Sequence, residues 1–347
     1  MTGTDASIEE LNQWMLAHHM HGYWMQQGGA SSSQRKPQHW KWANICGALM
    51  KAGDLVPMGP SGLTEVRTID LRHPSERSAP RTISLSPQIL LPGERGRAHH
   101  SVTNETRFVV QAPRGMTCVI EGEAFLMEPG DLVVSPAGAD QAYDNLGAEP
   151  AIWLTGRDRP LLDFMAIGTD RGASADRPRQ PVDRPVGYFA ATQDRMKDLS
   201  VDSAFHRPPT RYPWADIFAS LVSLKESEIG ADLCDGIHLR YTSPRDRGPT
   251  LPTFSCEIQL LTSPLQTDAH RHNSTAIYYV VRGEGRTEVG EEWLEWTQGD
   301  IFCVPPWTWH RHENRAPEDA ILYSIDDWPA MAKMGFYRVE REGDTPE

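Results

Sequence analysis

The sequence predicts a mainly β protein: two antiparallel β-sandwich or jelly-roll barrels, each preceded by a short helical stretch. Three observations carry this. From residue 64 onward, short β-rich runs (TISLSPQILL, TRFVVQA, MTCVIEG, DLVVSP, AIWLTG) are separated by Gly, Pro and Asn. The same texture returns from about residue 236 to 325. A repeat then links the two stretches at a spacing of about 170 residues. Gly130-Asp131 recurs as Gly299-Asp300, Pro136 as Pro305, Asn145 as Asn314, and His99 as His270.

Taken in order, residues 7–27 predict a helix, with Ser7 as cap and Glu10 three positions later as its capping-box partner. Residues 28–37 are Gly/Ser-rich and predict a loop. Residues 40–52 predict a second helix ended by Gly53. Residues 64–156 form the first barrel. Residues 157–230 are a connector rich in Arg, Asp and Pro, which closes on a predicted helix over 214–228. Residues 231–347 form the second barrel. The N-terminal region is thus 1–63.

Composition narrows the function classes. The chain has 347 residues, 39% hydrophobic and 23% charged, with a net charge of −13. That balance is ordinary for a soluble globular protein and argues against nucleic acid or an anionic membrane as a general partner. A small anionic substrate, which feels local charge, stays open. No apolar run approaches the roughly 18 residues of a bilayer-spanning helix. The N-terminus lacks the basic and apolar segments of a signal peptide, so a cytoplasmic location is expected. The five cysteines are scattered without a CxxC, as in a reduced compartment.

The chemistry concentrates in the second copy, in DAHRHNSTAIYYVVRGEG and GDIFCVPPWTWHRHEN. His270 and His272 stand two apart, so on a strand both point to one face. His310 follows on a later strand and can complete a three-imidazole metal site with positions left for substrate and O2. This resembles the two motifs of the cupin family: HxH, then Gly299, Pro305, His310 and Asn314 in register, with Trp307 where the pattern usually has Gly. That pattern also places Glu four residues after the second His, where Ala276 stands here. Three neutral imidazoles leave a divalent ion its full charge, which favours an anionic chelating substrate; imidazole suits Fe, Cu, Ni or Zn. The first copy reads His99, Ser101, Glu105 and Gln141 at the matching positions and is expected to be metal-free. His100 is one residue out of register and should face away.

Over nearly the whole chain the sequence resembles the bicupin ring-cleaving dioxygenases acting on gentisate, salicylate and 1-hydroxy-2-naphthoate. The similar segments include QHWKWANICGALMKAGDLVP, AIWLTGRDRPLL, RYTSPRDRGPTLPTF, WTWHRHEN and LYSIDDWPAMAKMGFYRVE. The resemblance implies Fe(II), a small aromatic carboxylate and O2 as substrates, and a homo-oligomer, a tetramer by analogy. In most of that family the metal motif lies in the first cupin; here it lies in the second. The family's carboxylate-holding Arg has its counterpart at Arg107 in the metal-free copy, and Tyr278 takes that position in the other.

The remaining site candidates follow. His312, two beyond His310, is the candidate catalytic proton carrier. Tyr278, Trp307, Trp309 and Arg240 are candidate substrate contacts, Arg240 as a bidentate carboxylate clamp. His18 and His21, with His19, read as an ordinary helix face, and Trp14, Met15, Tyr23 and Trp24 as its apolar covering side. Two other functions stay open: a three-histidine cupin oxidising another small substrate such as a thiol, and a non-oxygenase metal-binding cupin (an isomerase or decarboxylase).

Overall fold

The structure, a computed structural model, describes Gln13 and residues 36–58, 66–71, 82–167, 186–188, 208–227 and 231–344. The predicted helix over 7–27, with His18, His19 and His21, lies outside the described residues apart from Gln13. From residue 37 onward the chain forms one compact unit.

Two double-sheet barrels make up this unit. The first pairs a six-stranded sheet with a four-stranded one; the second pairs a seven-stranded sheet with a six-stranded one. The larger sheet of each barrel is buried on both faces. In the strand Ala276–Arg282, Ala276, Tyr278 and Val280 point into the second barrel, whereas Ile277 and Tyr279 join a central core shared with the first barrel. Side chains alternate across a strand, so a strand buried on both faces reads as a continuous apolar run. The central core takes Phe108, Leu132 and Leu154 from the first barrel and Ile258, Tyr323 and Ile325 from the second.

The repeat is visible in the pairing. His99 stands opposite Gln141 in the first barrel, as His270 stands opposite His310 in the second. Each barrel is also edged by a strand and helix from upstream in the chain. Gln38–Trp40 pairs with Ile301–Val304 of the second barrel, and the helix Trp42–Leu55 follows it. Thr210–Tyr212 pairs with Leu132–Ser135 of the first barrel, followed by the helix Trp214–Ser227. The sequence boundary at residue 63 therefore cuts off a segment that completes the second barrel.

The Gly-Asp turns explain how those helices seat. Asp300 Oδ1 accepts the Trp42 N–H at 2.9 Å, and Asp131 Oδ1 accepts the Trp214 N–H at 2.9 Å. Both glycines have positive φ, and a Cβ at either would fall about 2.5 Å from the Trp ring lying on it. Only glycine allows both the turn and that close approach. Gly53 does not end its helix as predicted; the helix runs on to Leu55, and Gly53 is buried against Leu91.

Candidate metal centre

His270 and His272 lie on one short strand of the second barrel's smaller sheet, and His310 begins the neighbouring strand. All three are buried, and their ligand nitrogens lie within 4.8 Å of one another. The ring centroids are 5.7 Å apart for His270–His272, 4.1 Å for His270–His310 and 5.0 Å for His272–His310.

Second contacts set the tautomers. His310 Nδ1 lies 3.0 Å from the Thr308 carbonyl and His272 Nδ1 lies 3.1 Å from the Ser274 carbonyl. A carbonyl only accepts, so each Nδ1 carries the proton and each Nε2 keeps a free lone pair. His310 Nε2 is buried and has no hydrogen-bond partner among the described residues. An orphaned imidazole lone pair aimed at two others costs free energy unless a cation takes it. Burial, then the neighbouring imidazoles, pushes His272 down to about 4 and His310 well below the ordinary histidine range. Burial likewise lowers His270, against the opposing effect of Asp235. The three rings are neutral at pH 7, as metal ligands must be. They fit a divalent first-row ion.

The cavity beside them has a volume of about 190 Å³ and is lined by His270, His272, Tyr278, Arg240, Glu257 and Trp328, among others. Its floor is the inward face of the seven-stranded sheet. Arg240, Glu257, Ser324 and Tyr278 stand directly opposite one another on four successive strands. Arg240 Nε donates to Glu257 Oε1 at 2.7 Å, and its guanidinium stacks 4.4 Å from the Trp328 ring. Its two terminal nitrogens make no hydrogen bond among the described residues. His238 Nε2 and Glu257 Oε2 form an ion pair at 2.8 Å. Burial opposes both charges, but the pairing outweighs it: Glu257 is held at about 2 and His238 at about 9.

His312 is fully buried in the barrel interior, on the same strand of the smaller sheet as His310, with its ring 5.3 Å from Tyr278 and 6.2 Å from His310. Trp296 Nε1 donates to Thr287 Oγ1 at 2.9 Å, and Thr287 Oγ1 lies 2.9 Å from His312 Nδ1. An indole N–H can only donate, and among the described residues the Thr287 hydroxyl has no acceptor for its own proton other than Nδ1; the pairing that satisfies it puts the His312 proton on Nε2. That Nε2 is buried without a partner among the described residues.

Trp307 and Trp309 are placed elsewhere than a substrate wall over the histidines. Both rings hold the Arg271 guanidinium, each 4.7 Å away, and line with Arg271 and His310 a groove distinct from the cavity that His270 and His272 line. Arg271 lies between His270 and His272 and must point opposite to them, so it carries the two tryptophans with it. Trp307 has φ +61°, which accounts for the Gly usual at this position.

Sequence reasoning passed over Asp235, His238, Glu257 and Trp328. The signal was present: HxR in GIHLR and ExQ in SCEIQLL put charged or amide groups at alternate positions of otherwise apolar strands. Asp235 Oδ1 lies 4.0 Å from His270 Nε2.

In the first barrel the corresponding space is filled. Arg107, which is fully buried, reaches Glu105 Oε2 at 2.6 Å and Ser135 Oγ at 2.8 Å, and also hydrogen-bonds Gln141 and Tyr143. Ser101 is turned onto Glu105 at 2.8 Å. A guanidinium thus occupies the interior where the second barrel gathers imidazoles. Two results are expected. Arg107→Met destabilises the chain by about 3 kcal/mol in chemical denaturation, because a buried carboxylate loses one of its cations. Ser101→His with Gln141→His leaves metal content at one ion per chain while Arg107 stays; two ions would show that Arg107 yields.

A cupin-domain family pattern matches residues 261–326. The chain is 33% identical over 317 residues to a 5-aminosalicylate 1,2-dioxygenase of Comamonas, covering 87% of this chain and 81% of that protein. It is 31% identical to a gentisate 1,2-dioxygenase of Haloferax, over 86% of each. It is 28% identical to a 1-hydroxy-2-naphthoate 1,2-dioxygenase of Nocardioides, over 95% of this chain and 84% of that one. In fold it matches a crystal structure of salicylate 1,2-dioxygenase from Pseudoaminobacter salicylatoxidans with gentisate. The TM-score is 0.83 at 23% identity, over 99% of this chain and 96% of the other.

Proposed function

Since the chain belongs to the bicupin family of ring-cleaving 1,2-dioxygenases, we propose that it opens the ring of a salicylate- or gentisate-type hydroxybenzoate between its carboxyl- and hydroxyl-bearing carbons. The observation that supports this best is the pairing of two features across one small cavity: three neutral, converging imidazoles on one side and the unengaged guanidinium fork of Arg240 on the other. We assign Fe(II) as the ion held by His270, His272 and His310. When bound, the metal supplies the Lewis-acidic centre at which an anionic ring substrate and O2 are brought together.

In this reading the chain's own groups do the rest. Arg240 receives the substrate carboxylate on its two terminal nitrogens, a geometry only Arg offers. Tyr278 forms the floor under the ring. His312 holds a proton on Nε2 and offers that N–H as a hydrogen bond to the oxyanion that develops as the ring opens, keeping its own proton. Both atoms of O2 enter the ring-opened product. Trp307 and Trp309 act at one remove, by fixing Arg271 on the ligand strand. The same proposal includes a homotetramer, by family likeness, and a cytoplasmic location. Among the described residues no helix is long and apolar enough to cross a membrane.

The test is oxygen uptake by the Fe(II)-loaded protein with salicylate, 5-aminosalicylate, gentisate and 1-hydroxy-2-naphthoate. At least one should consume O2 one-to-one and give a new ultraviolet band from the opened ring. Uptake confined to thiols, or no uptake with any of the panel, would replace this reading.

A further inference from the structure

The two barrels act as controls for each other, because pairing register sets their positions side by side. Glu257 stands opposite Arg240 and Ser324; in the first barrel the same place, opposite Thr155, is Ser86. His238 stands opposite Gln259; its counterpart opposite Gln88 is Thr68. Asp327 and Asp158 each precede the short helix after the last strand, so Trp328 corresponds to Arg159. The turn residues recur in both barrels, yet the group of His238, Arg240, Glu257 and Trp328 exists only beside the three imidazoles.

Within that group Glu257 is the hub. Its carboxylate, nearly all of it buried, is the partner of Arg240 Nε at 2.7 Å, of His238 Nε2 at 2.8 Å and of Trp328 Nε1 at 3.2 Å. Arg240 is itself half-exposed to the cavity and has a long, flexible stem, so the guanidinium alone has no fixed direction. One contact at Nε and one ring against its face fix it in a plane and leave the terminal N–H fork facing outward.

We infer that Glu257 is a positioning residue: with Trp328 it orients Arg240 as a bidentate clamp for the carboxylate of the substrate. This rests on the proposed hydroxybenzoate reading and names the part of the site that selects a carboxylate over a neutral ring substituent. Burying an anion next to a site for anions is unfavourable by itself. It is tolerated here because the Glu257 carboxylate is paired with both His238 and Arg240, which offset its charge.

The test compares salicylate with salicylamide, which keeps the ring hydroxyl and loses the charge. Equilibrium binding to the metal-loaded full chain is measured without oxygen, alongside metal content. Glu257→Ala is expected to weaken salicylate about ten-fold, the size of one charge-assisted hydrogen bond. Salicylamide binding and metal content stay within two-fold, and Glu257→Gln recovers most of the loss. If Glu257→Ala does not fold, Trp328→Leu should give the same selective loss from the other side of the guanidinium. Equal weakening of both probes, or salicylate binding unchanged in Glu257→Ala, overturns the inference. Arg240→Met separates the two levels. If it too leaves salicylate binding intact, the carboxylate clamp of the proposed function fails; if it alone weakens salicylate, only the role of Glu257 fails.

Discussion

Replacing His272 or His310 with alanine is expected to abolish metal binding and ring cleavage together. Metal should fall from about one ion per chain to near zero, and turnover by at least about three orders of magnitude, the scale on which members of one catalytic unit act. The reason is geometric. The three nitrogens lie within 4.8 Å of one another and the rings of His310 and His272 are oriented by Thr308 and Ser274; among the described residues no fourth His joins the group. Among the described residues, His312 is held by Thr287 in the barrel interior and His238 is paired with Glu257. Elemental analysis of the purified variants checks this, with Ser101→Ala as the first-barrel control that keeps its metal. Equal metal loss in Ser101→Ala and His272→Ala would defeat a single site in the second barrel.

His312→Ala should separate metal binding from chemistry. Metal content is expected to remain at about one per chain, because His312 is no member of the converging group. Turnover should drop by about 10²–10⁴-fold, the usual worth of a polar group positioned at the reacting atoms. Burial above all pushes His312 down to about 3, so at neutral pH the ring holds one proton, which Thr287 directs to Nε2. Thr287→Val removes the hydroxyl that selects this tautomer and should cost turnover in the same direction, though less, since the ring stays in place. Steady-state rates with metal-normalised enzyme decide the matter. Intact activity in His312→Ala, or loss of its metal, would remove His312 from the proposed role.

Much of the metal centre was legible in the chain because strand geometry is so regular. A side-chain period of two places His270 and His272 on one face whatever surrounds them. The repeated Gly-Asp turn then gave the register that brings His310 alongside, and the structure pairs His270 with His310 as that repeat requires. That Ser101 and Gln141 stand where the second copy has His272 and His310 was equally readable. Trp307 and Trp309 were harder. They sit next to His310 in sequence, but Trp307 adopts a left-handed backbone and both rings turn to Arg271.

Local pattern, by itself, determined the two-barrel β architecture, the three imidazoles and the barrel that carries them, since each depends on spacing along one strand or on a repeat of turns. Tertiary structure decided the rest of the cavity. Residues 240, 257, 324 and 278 are far apart in the chain and become neighbours only across a four-strand row of the seven-stranded sheet. The same holds for the guanidinium of Arg107, whose partners Glu105, Ser135, Gln141 and Tyr143 come from three different strands. Period along a strand is a property of the backbone and is written in the sequence. Partnership across strands is chosen by sheet order and by burial of charge, which exist only once the barrels close.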